Sequence, residues 1–142
     1  MVWILVAGLM WLVSTRTPKV DLPSLIRVGT TVVLTVIGIW LVVSARRSLE
    51  RADTTWRPMT PGQTTRLVTT GVYSMGRNPV YLGMLLVVLG LAVALSSPAA
   101  LALTAVFVLY LNKFQIAPEE RALSAVLGQE YLDYQARVRR WL

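Results

Sequence analysis

The sequence predicts an all-α integral membrane protein of about four transmembrane helices: a helical hairpin, a structured cytoplasmic loop and an amphipathic C-terminal helix accompany the spans. Three observations predict it. Hydrophobic residues make up 55% of the 142-residue chain and its mean hydropathy is +0.59, well above an ordinary soluble domain of this size. The apolar residues are gathered into four segments, Val2–Val13, Leu25–Ala45, Val80–Leu95 and Ala99–Ile116. The last three reach or approach the roughly 20 residues that cross a bilayer as a helix. Finally, all seven Asp and Glu lie outside those segments.

The first segment is short for a span, but tilt or local thinning of the bilayer accommodates that. No basic residue precedes it and no small-x-small cleavage site follows, so a spanning or deeply inserted helix is expected and a signal peptide is not. Thr17-Pro18 to Pro23 separates it from the second segment, which Pro23 and Ser24 are placed to start. Thr30 to Val43 is rich in β-branched residues. In lipid the backbone must satisfy its own hydrogen bonds, so this run is expected as helix, continuing through Arg46 to Asp53 at the interface with arginine stems snorkelling.

Residues 54 to 78 carry Pro58, Pro61, Gly62, Gly71 and Gly76 and are expected as a structured loop. A connection of that length is more often functional than idle. Pro79 suits the first turn of a third helix. Ser96, Ser97 and Pro98 alone join it to the fourth, which predicts a tight antiparallel hairpin. Gly83 and Gly90 share one face of the third helix and permit close approach of a neighbour. From Pro118, Leu123, Val126, Leu127, Tyr131, Tyr134, Val138 and Trp141 recur at helical spacing among polar residues, predicting an amphipathic helix broken at Gly128. The chain is expected as one membrane domain, 1–53 holding the N-terminal helices and 54–142 the loop, hairpin and C-terminal helix.

The net charge of +7 comes from fourteen Lys and Arg against seven acids. Arg46, Arg47, Arg51, Arg57, Arg66 and Arg77 fall in the middle connection and Lys113, Arg121, Arg137, Arg139 and Arg140 near the end, whereas the Ser96–Pro98 turn has none. The positive-inside rule puts the middle loop and tail in the cytoplasm and the turn outside; Arg16, Lys19 and Arg27 in the first connection depart mildly from it. Charges flanking spans are read as topology and anionic-lipid contacts, not as a nucleic-acid surface. Zero cysteines and zero histidines remove thiol catalysis, disulfides, the usual transition-metal sites and the commonest general base.

The chemistry concentrates at two polar elements on the cytoplasmic ends of the hairpin. Tyr73 to Tyr81 enters its first helix, and Asn112 to Glu120 leaves its second. Aromatic rings, amide donors and a carboxylate suit a zwitterionic, nucleoside-containing ligand. The same residues also suit plain interfacial anchoring, a general habit of Tyr and Arg in membrane proteins. The placement of the acids weighs against a small four-helix proton-coupled transporter, which would carry an ionisable residue inside a span.

The ordered set Arg66-Leu-Val-Thr-Thr-Gly-Val-Tyr73, Arg77-Asn-Pro-Val-Tyr81, Glu119-Glu120, Leu127-Gly-Gln-Glu-Tyr131-Leu-Asp-Tyr134 and Arg140 resembles the isoprenylcysteine carboxyl methyltransferase family and its phospholipid methyltransferase relatives. The resemblance covers roughly residues 56 to 141. It implies methyl transfer from S-adenosylmethionine to a lipophilic acceptor at the cytoplasmic face of the cell membrane, among membrane lipids and with no nucleic acid or metal. Leu67, Val68, Tyr73, Asn78, Pro79 and Tyr81 match positions that line the cofactor pocket in that family, and Glu119 matches its acidic ligand. Glu120 completes the paired acid of the phospholipid enzymes and is expected among the cofactor-binding residues with Glu119. Glu119 and Arg140 take the catalytic positions. Two departures bear on the acceptor. Asn78 stands where the carboxyl methyltransferases usually have His, and the Asn-Pro version is that of the phospholipid enzymes. Gln115, at the substrate-binding position, stands where the carboxyl enzymes have an arginine that contacts the substrate carboxylate, and glutamine supplies no charge for it; the acceptor stays open, with an ethanolamine-type phospholipid amine as the alternative to a carboxyl methyltransferase-like acceptor. On an α-helix Lys113 would lie about 160 degrees from Gln115 and could not replace that arginine.

Overall fold

The computed structural model describes residues 2–52 and 66–142, and over these the chain is helical, without a strand. The elements are α1 (Val2–Ser14), α2 (Ser24–Arg51), a 3₁₀ turn (Gly71–Ser74), α3 (Pro79–Leu95), α4 (Pro98–Tyr110), a π-helical segment (Leu111–Ile116), α5 (Ala117–Leu127) and α6 (Gln129–Arg137). Two continuous helices, Ser24–Arg51 and Pro98–Leu127, are long and apolar enough to cross a membrane, and α1 and α3 are shorter apolar helices. Asp53, the expected end of the second helix, and Arg57, Pro58, Pro61 and Gly62 of the expected loop lie outside the described residues.

The distribution of side chains on α2 is the reverse of a soluble helix. A stripe at Thr31, Leu34, Thr35, Gly38, Leu41, Ala45 and Ser48 is buried or half-buried, and most of it is small or polar. The large apolar residues Val28, Val32, Val33, Val36, Ile37, Ile39, Trp40 and Val43 are exposed. With apolar tails as solvent there is no drive to hide Val or Ile, and small residues go to helix contacts because they let backbones approach. Trp3, Ile4, Leu5, Leu9, Trp11 and Leu12 of α1 and Leu101, Val106 and Leu109 of α4 are exposed in the same way.

By its contacts the chain divides into two compact units, Met1–Trp40 with Gly83–Leu109, and Leu41–Leu82 with Tyr110–Leu142. In the first unit α2 packs tightly on α3. A Cβ on Gly38 would come within 2.6 Å of the Gly83 carbonyl oxygen and 2.9 Å of Val87 Cγ2, so only glycine allows the approach. About two turns further along, Thr31 Oγ1 donates to the Gly90 carbonyl at 3.3 Å. The expected role of Gly83 and Gly90 as close-contact positions is therefore met, with Gly38 and Thr31 as the partners.

Ser96 and Ser97 join α3 to α4. Ser97 caps α4 by accepting from the Ala100 amide at 3.3 Å, with Pro98 in the first turn where its missing N–H costs nothing. The first connection binds to this turn: the Val20 amide donates to the Ser96 carbonyl at 2.8 Å, and Thr17 and Ser97 share a hydroxyl bond of 3.2 Å. Buried Ala100, Thr104 and Phe107 then form the inward stripe of α4.

The second unit begins with a departure from expectation. Residues 111–116 are not α-helical: the Ala117 amide reaches back to the Asn112 carbonyl, a five-residue bond. Pro118 explains the widening. Its ring would strike the carbonyl one α-turn back and it has no N–H to donate, and a π-turn relieves both without ending the helix. The angle expected between Lys113 and Gln115 on an α-helix accordingly does not apply. Lys113 Nζ lies 5.4 Å from the centre of the Phe114 ring, which stacks on Tyr110 at 5.2 Å. Gly128, at φ +58°, separates α5 from α6 as expected; a side chain would make that backbone conformation costly.

Candidate functional site

The candidate site lies within the second unit. It is built from residues 66–82, the start of α5, α6 and the strap that follows it, Val138–Leu142. Residues 67–69 are half-buried and without helix, Gly71–Ser74 is a single 3₁₀ turn, and Pro79 begins α3. Leu67 and Val68 are therefore half-buried, Tyr73 sits on the 3₁₀ turn, and Asn78, Pro79 and Tyr81 are buried.

Tyr81 meets the first acid. Its hydroxyl donates to Glu119 Oε2 at 2.8 Å across 38 residues of sequence, which joins the start of α3 to the start of α5. Glu120 points elsewhere. Its Oε1 accepts from Arg77 Nη2 at 2.9 Å and Arg140 Nε at 3.2 Å, and its Oε2 accepts from Arg140 Nη2 at 2.6 Å. Glu120 and Arg77 are about nine-tenths buried, whereas the Arg140 side chain is 41% exposed. Two guanidinium groups on one carboxylate leave a local surplus of one positive charge. The Arg77 Nε–H is buried and finds no acceptor among the described residues.

The strap runs against the loop. The Arg77 amide donates to the Arg139 carbonyl at 2.9 Å, and Asn78 Nδ2 donates to the Arg140 carbonyl at 2.9 Å. Trp141 Nε1 donates to Asn112 Oδ1 at 3.2 Å. At Gly76 the two backbones are so close that a Cβ would collide with the Trp141 carbonyl. Tyr134 closes the other side, donating its hydroxyl to the Tyr73 carbonyl at 2.6 Å.

Burial, first of all, raises the phenols of Tyr73, Tyr131 and Tyr134. Tyr131 and Tyr134 are each pushed up to about 12, with Glu120 adding to the rise at Tyr131 and Tyr131 to that at Tyr134; Arg77 opposes both. For Tyr73 the second cause is the nearby Glu119 charge, which also raises its pKa. All three are neutral hydrogen-bond donors at physiological pH.

Of the residues singled out in the sequence, Tyr81 and Glu119 are linked directly, and so are Glu120 and Arg140. Asn78 is linked to the strap through the Arg140 carbonyl. Gln115 is half-buried on the π-helical segment and has no hydrogen bond to the others. Sequence reasoning missed the pairing of Arg77 with Glu120, the Tyr134 bond to the 3₁₀ turn and the Trp141–Asn112 tie. Helical spacing of Tyr131, Tyr134, Val138 and Trp141 was the available signal, but it marks a face and does not name its partner. Among the described residues no cluster of three or more acids, His or Cys could hold a metal ion.

A family model described as phospholipid methyltransferase matches residues 26–130, which takes in α2, the loop, the hairpin and both acids. The chain belongs to the phospholipid methyltransferase family. Family membership makes it a membrane methyltransferase, in accord with the expectation from the Arg66–Tyr81 and Glu119–Glu120 motifs. An uncharacterised protein of Haemophilus influenzae is similar, 41% identical over 63 residues, which are 44% of this chain and the whole of that protein. No solved structure matches. The matched span ends within α6, before the strap.

Proposed function

We propose that the protein transfers a methyl group from S-adenosylmethionine to a lipophilic acceptor, with its site on the cytoplasmic face of the cell membrane. The observation that carries the reading is the opposite charge of the two halves of the site. Among the described residues Glu119 is held by the Tyr81 hydroxyl, while Arg77, Arg140 and Glu120 sum to one positive charge. A zwitterionic amino-acid group fits such a pair: the ammonium goes to the carboxylate and the carboxyl to the guanidinium side. Tyr73 and Tyr81 offer aromatic surface for the nucleoside, and Leu67, Val68 and Pro79 apolar walls. Asn78 and Glu120 support this set from behind, through the strap and the arginines.

S-adenosylmethionine supplies a methyl group already activated on a sulfonium, so the chain need not provide a strong base. Positioning and exclusion of water can then supply much of the rate, which agrees with a sequence lacking histidine. Gln115, uncharged on the π-helical segment, offers an acceptor hydrogen bonds but no counter-charge, which favours an amine over a carboxylate. Incubation with methyl-labelled cofactor and membrane lipids tests this: label in a lipid extract that survives alkali marks an amine, and alkali-labile label marks an ester. No label in lipid overturns the acceptor class.

Four membrane crossings follow in the same reading, α1 and α3 being the short ones. The bonds from Val20 and Thr17 to Ser96 and Ser97 support a common side for the first connection and the α3–α4 turn. Arg47, Arg51, Arg66, Arg121, Arg137 and Arg139 supply the basic side, which the positive-inside rule assigns to the cytoplasm.

A further inference from the structure

We propose that Glu120, the second of the paired acids, is a positioning residue and not a ligand: it ties the 138–142 strap to Arg77 and so aims the two arginines at the site. The inference rests on the S-adenosylmethionine reading above and assigns the cofactor's ammonium to Glu119 alone.

The lone pairs decide it. Both Glu120 oxygens are already engaged, by three guanidinium N–H groups at 2.6 to 3.2 Å. A carboxylate so occupied, and outnumbered by two cations, has little attraction left for a third positive group. Among the described residues Glu119 carries no such surplus beside it, and its side-chain partner there is the Tyr81 hydroxyl. Burial adds a second reason. Arg77 and Glu120 are both about nine-tenths buried, and a buried ion is strongly destabilised when its partner is removed. Releasing Glu120 to a ligand would leave Arg77 in that state, with its Nε–H already unpartnered among the described residues.

Glu120 also sits where three segments meet. Arg77 comes from the loop before α3, Glu120 from α5 and Arg140 from the strap. The Arg77 amide to Arg139 carbonyl bond and the Asn78 to Arg140 carbonyl bond lie directly beside the ion pairs. Arg140, which the resemblance placed among catalytic residues, is thereby fixed from both its side chain and its backbone. Its half-exposed guanidinium is presented by Glu120, and the strap is held over the loop by the same contact.

The test uses the full chain in detergent, in two measurements. In ligand-free protein, hydrogen exchange at the Arg77 amide reports the strap directly. Glu120→Gln and Arg140→Gln are each expected to speed it at least ~10-fold, since each breaks the charge-assisted tie. Titration with S-adenosylmethionine then separates positioning from ligation. Each variant is expected to weaken affinity at unchanged stoichiometry, and the double variant to be no worse than the weaker single one within about threefold, because both act on one tie. Glu119→Gln combined with Arg140→Gln is expected to multiply. If Glu120→Gln does not fold, Arg140→Gln carries the test, since its half-exposed side chain can be changed with Arg77 still paired. Unchanged Arg77 exchange in Arg140→Gln overturns the proposal. So does multiplication of the Glu120 and Arg140 effects, or a drop in stoichiometry with affinity preserved. If the variants show the exchange effects but the folded wild-type protein binds no cofactor, the cofactor reading is refuted instead.

Discussion

Replacing Glu119 with Gln changes one charge and almost no volume. Tyr81 keeps an oxygen to donate to, because the amide retains a carbonyl where Glu119 Oε2 accepted at 2.8 Å. What is lost is the negative half of the site. The remaining charges, Arg77, Arg140 and Glu120, still sum to +1, so an incoming ammonium meets a neutral acceptor with a net positive neighbour. A charge-assisted hydrogen bond contributes about 1.5–3 kcal/mol, which corresponds to a roughly 10- to 150-fold rise in Kd for S-adenosylmethionine. Calorimetric titration of the variant against wild type measures it. Adenosine, which has no ammonium, serves as the internal control and should bind both proteins about equally. A Kd for S-adenosylmethionine unchanged by Glu119→Gln, or an equal loss for adenosine, would refute the assignment of the ammonium to this carboxylate.

Other expectations follow from single contacts. Gly38→Ala places a Cβ against the Gly83 carbonyl, which is backbone and cannot swing aside; overpacking of this kind costs about 1–3 kcal/mol, read as a lowered thermal midpoint in detergent, and an unchanged midpoint contradicts the helix contact. Gly76→Ala drives the strap off the loop at the Trp141 carbonyl, so protease sensitivity after Arg137 should rise while the helix content by circular dichroism stays. Tyr131 and Tyr134, with phenols raised to about 12 by burial, contribute stability fully present below pH 10 and lost as pH rises through about 12. Tyr134→Phe should flatten part of that alkaline loss. Single cysteines at Ser96 and Arg66, introduced into a chain without Cys, should be labelled from opposite sides of a sealed vesicle; labelling from one side refutes the four-crossing topology.

Much of this fold could be read because its signals are local. Pro79 at the start of α3, Ser97-Pro98 at the start of α4 and Gly128 at the break each act through the backbone of their own turn. The close face of α3 was legible too, since Gly83 and Gly90 repeat on one side. The π-helical segment was not legible. Pro118 announced a disturbance, but read as a start signal it implied a new helix, whereas a widened turn lets the old helix continue through it. The site divides in the same way. Short motifs located Tyr81, Asn78 and the two acids, yet which acid takes which partner depends on pairs 38, 43 and 20 residues apart, Tyr81 with Glu119 and Glu120 with Arg77 and Arg140. Adjacent glutamates on a helix point about 100 degrees apart, so nothing in Glu119-Glu120 itself says that one faces a phenol and the other two arginines. Those distances exist only once α5 and the strap have packed against the loop and the start of α3.

The most direct measurement is calorimetric titration of the purified, folded wild-type protein with S-adenosylmethionine and with its demethylated product. Saturable binding of both, at one site per chain and below millimolar concentration, is the predicted result. Absence of binding up to millimolar concentration, with helix content and the thermal transition intact, would contradict the assignment of this site to a methyl donor.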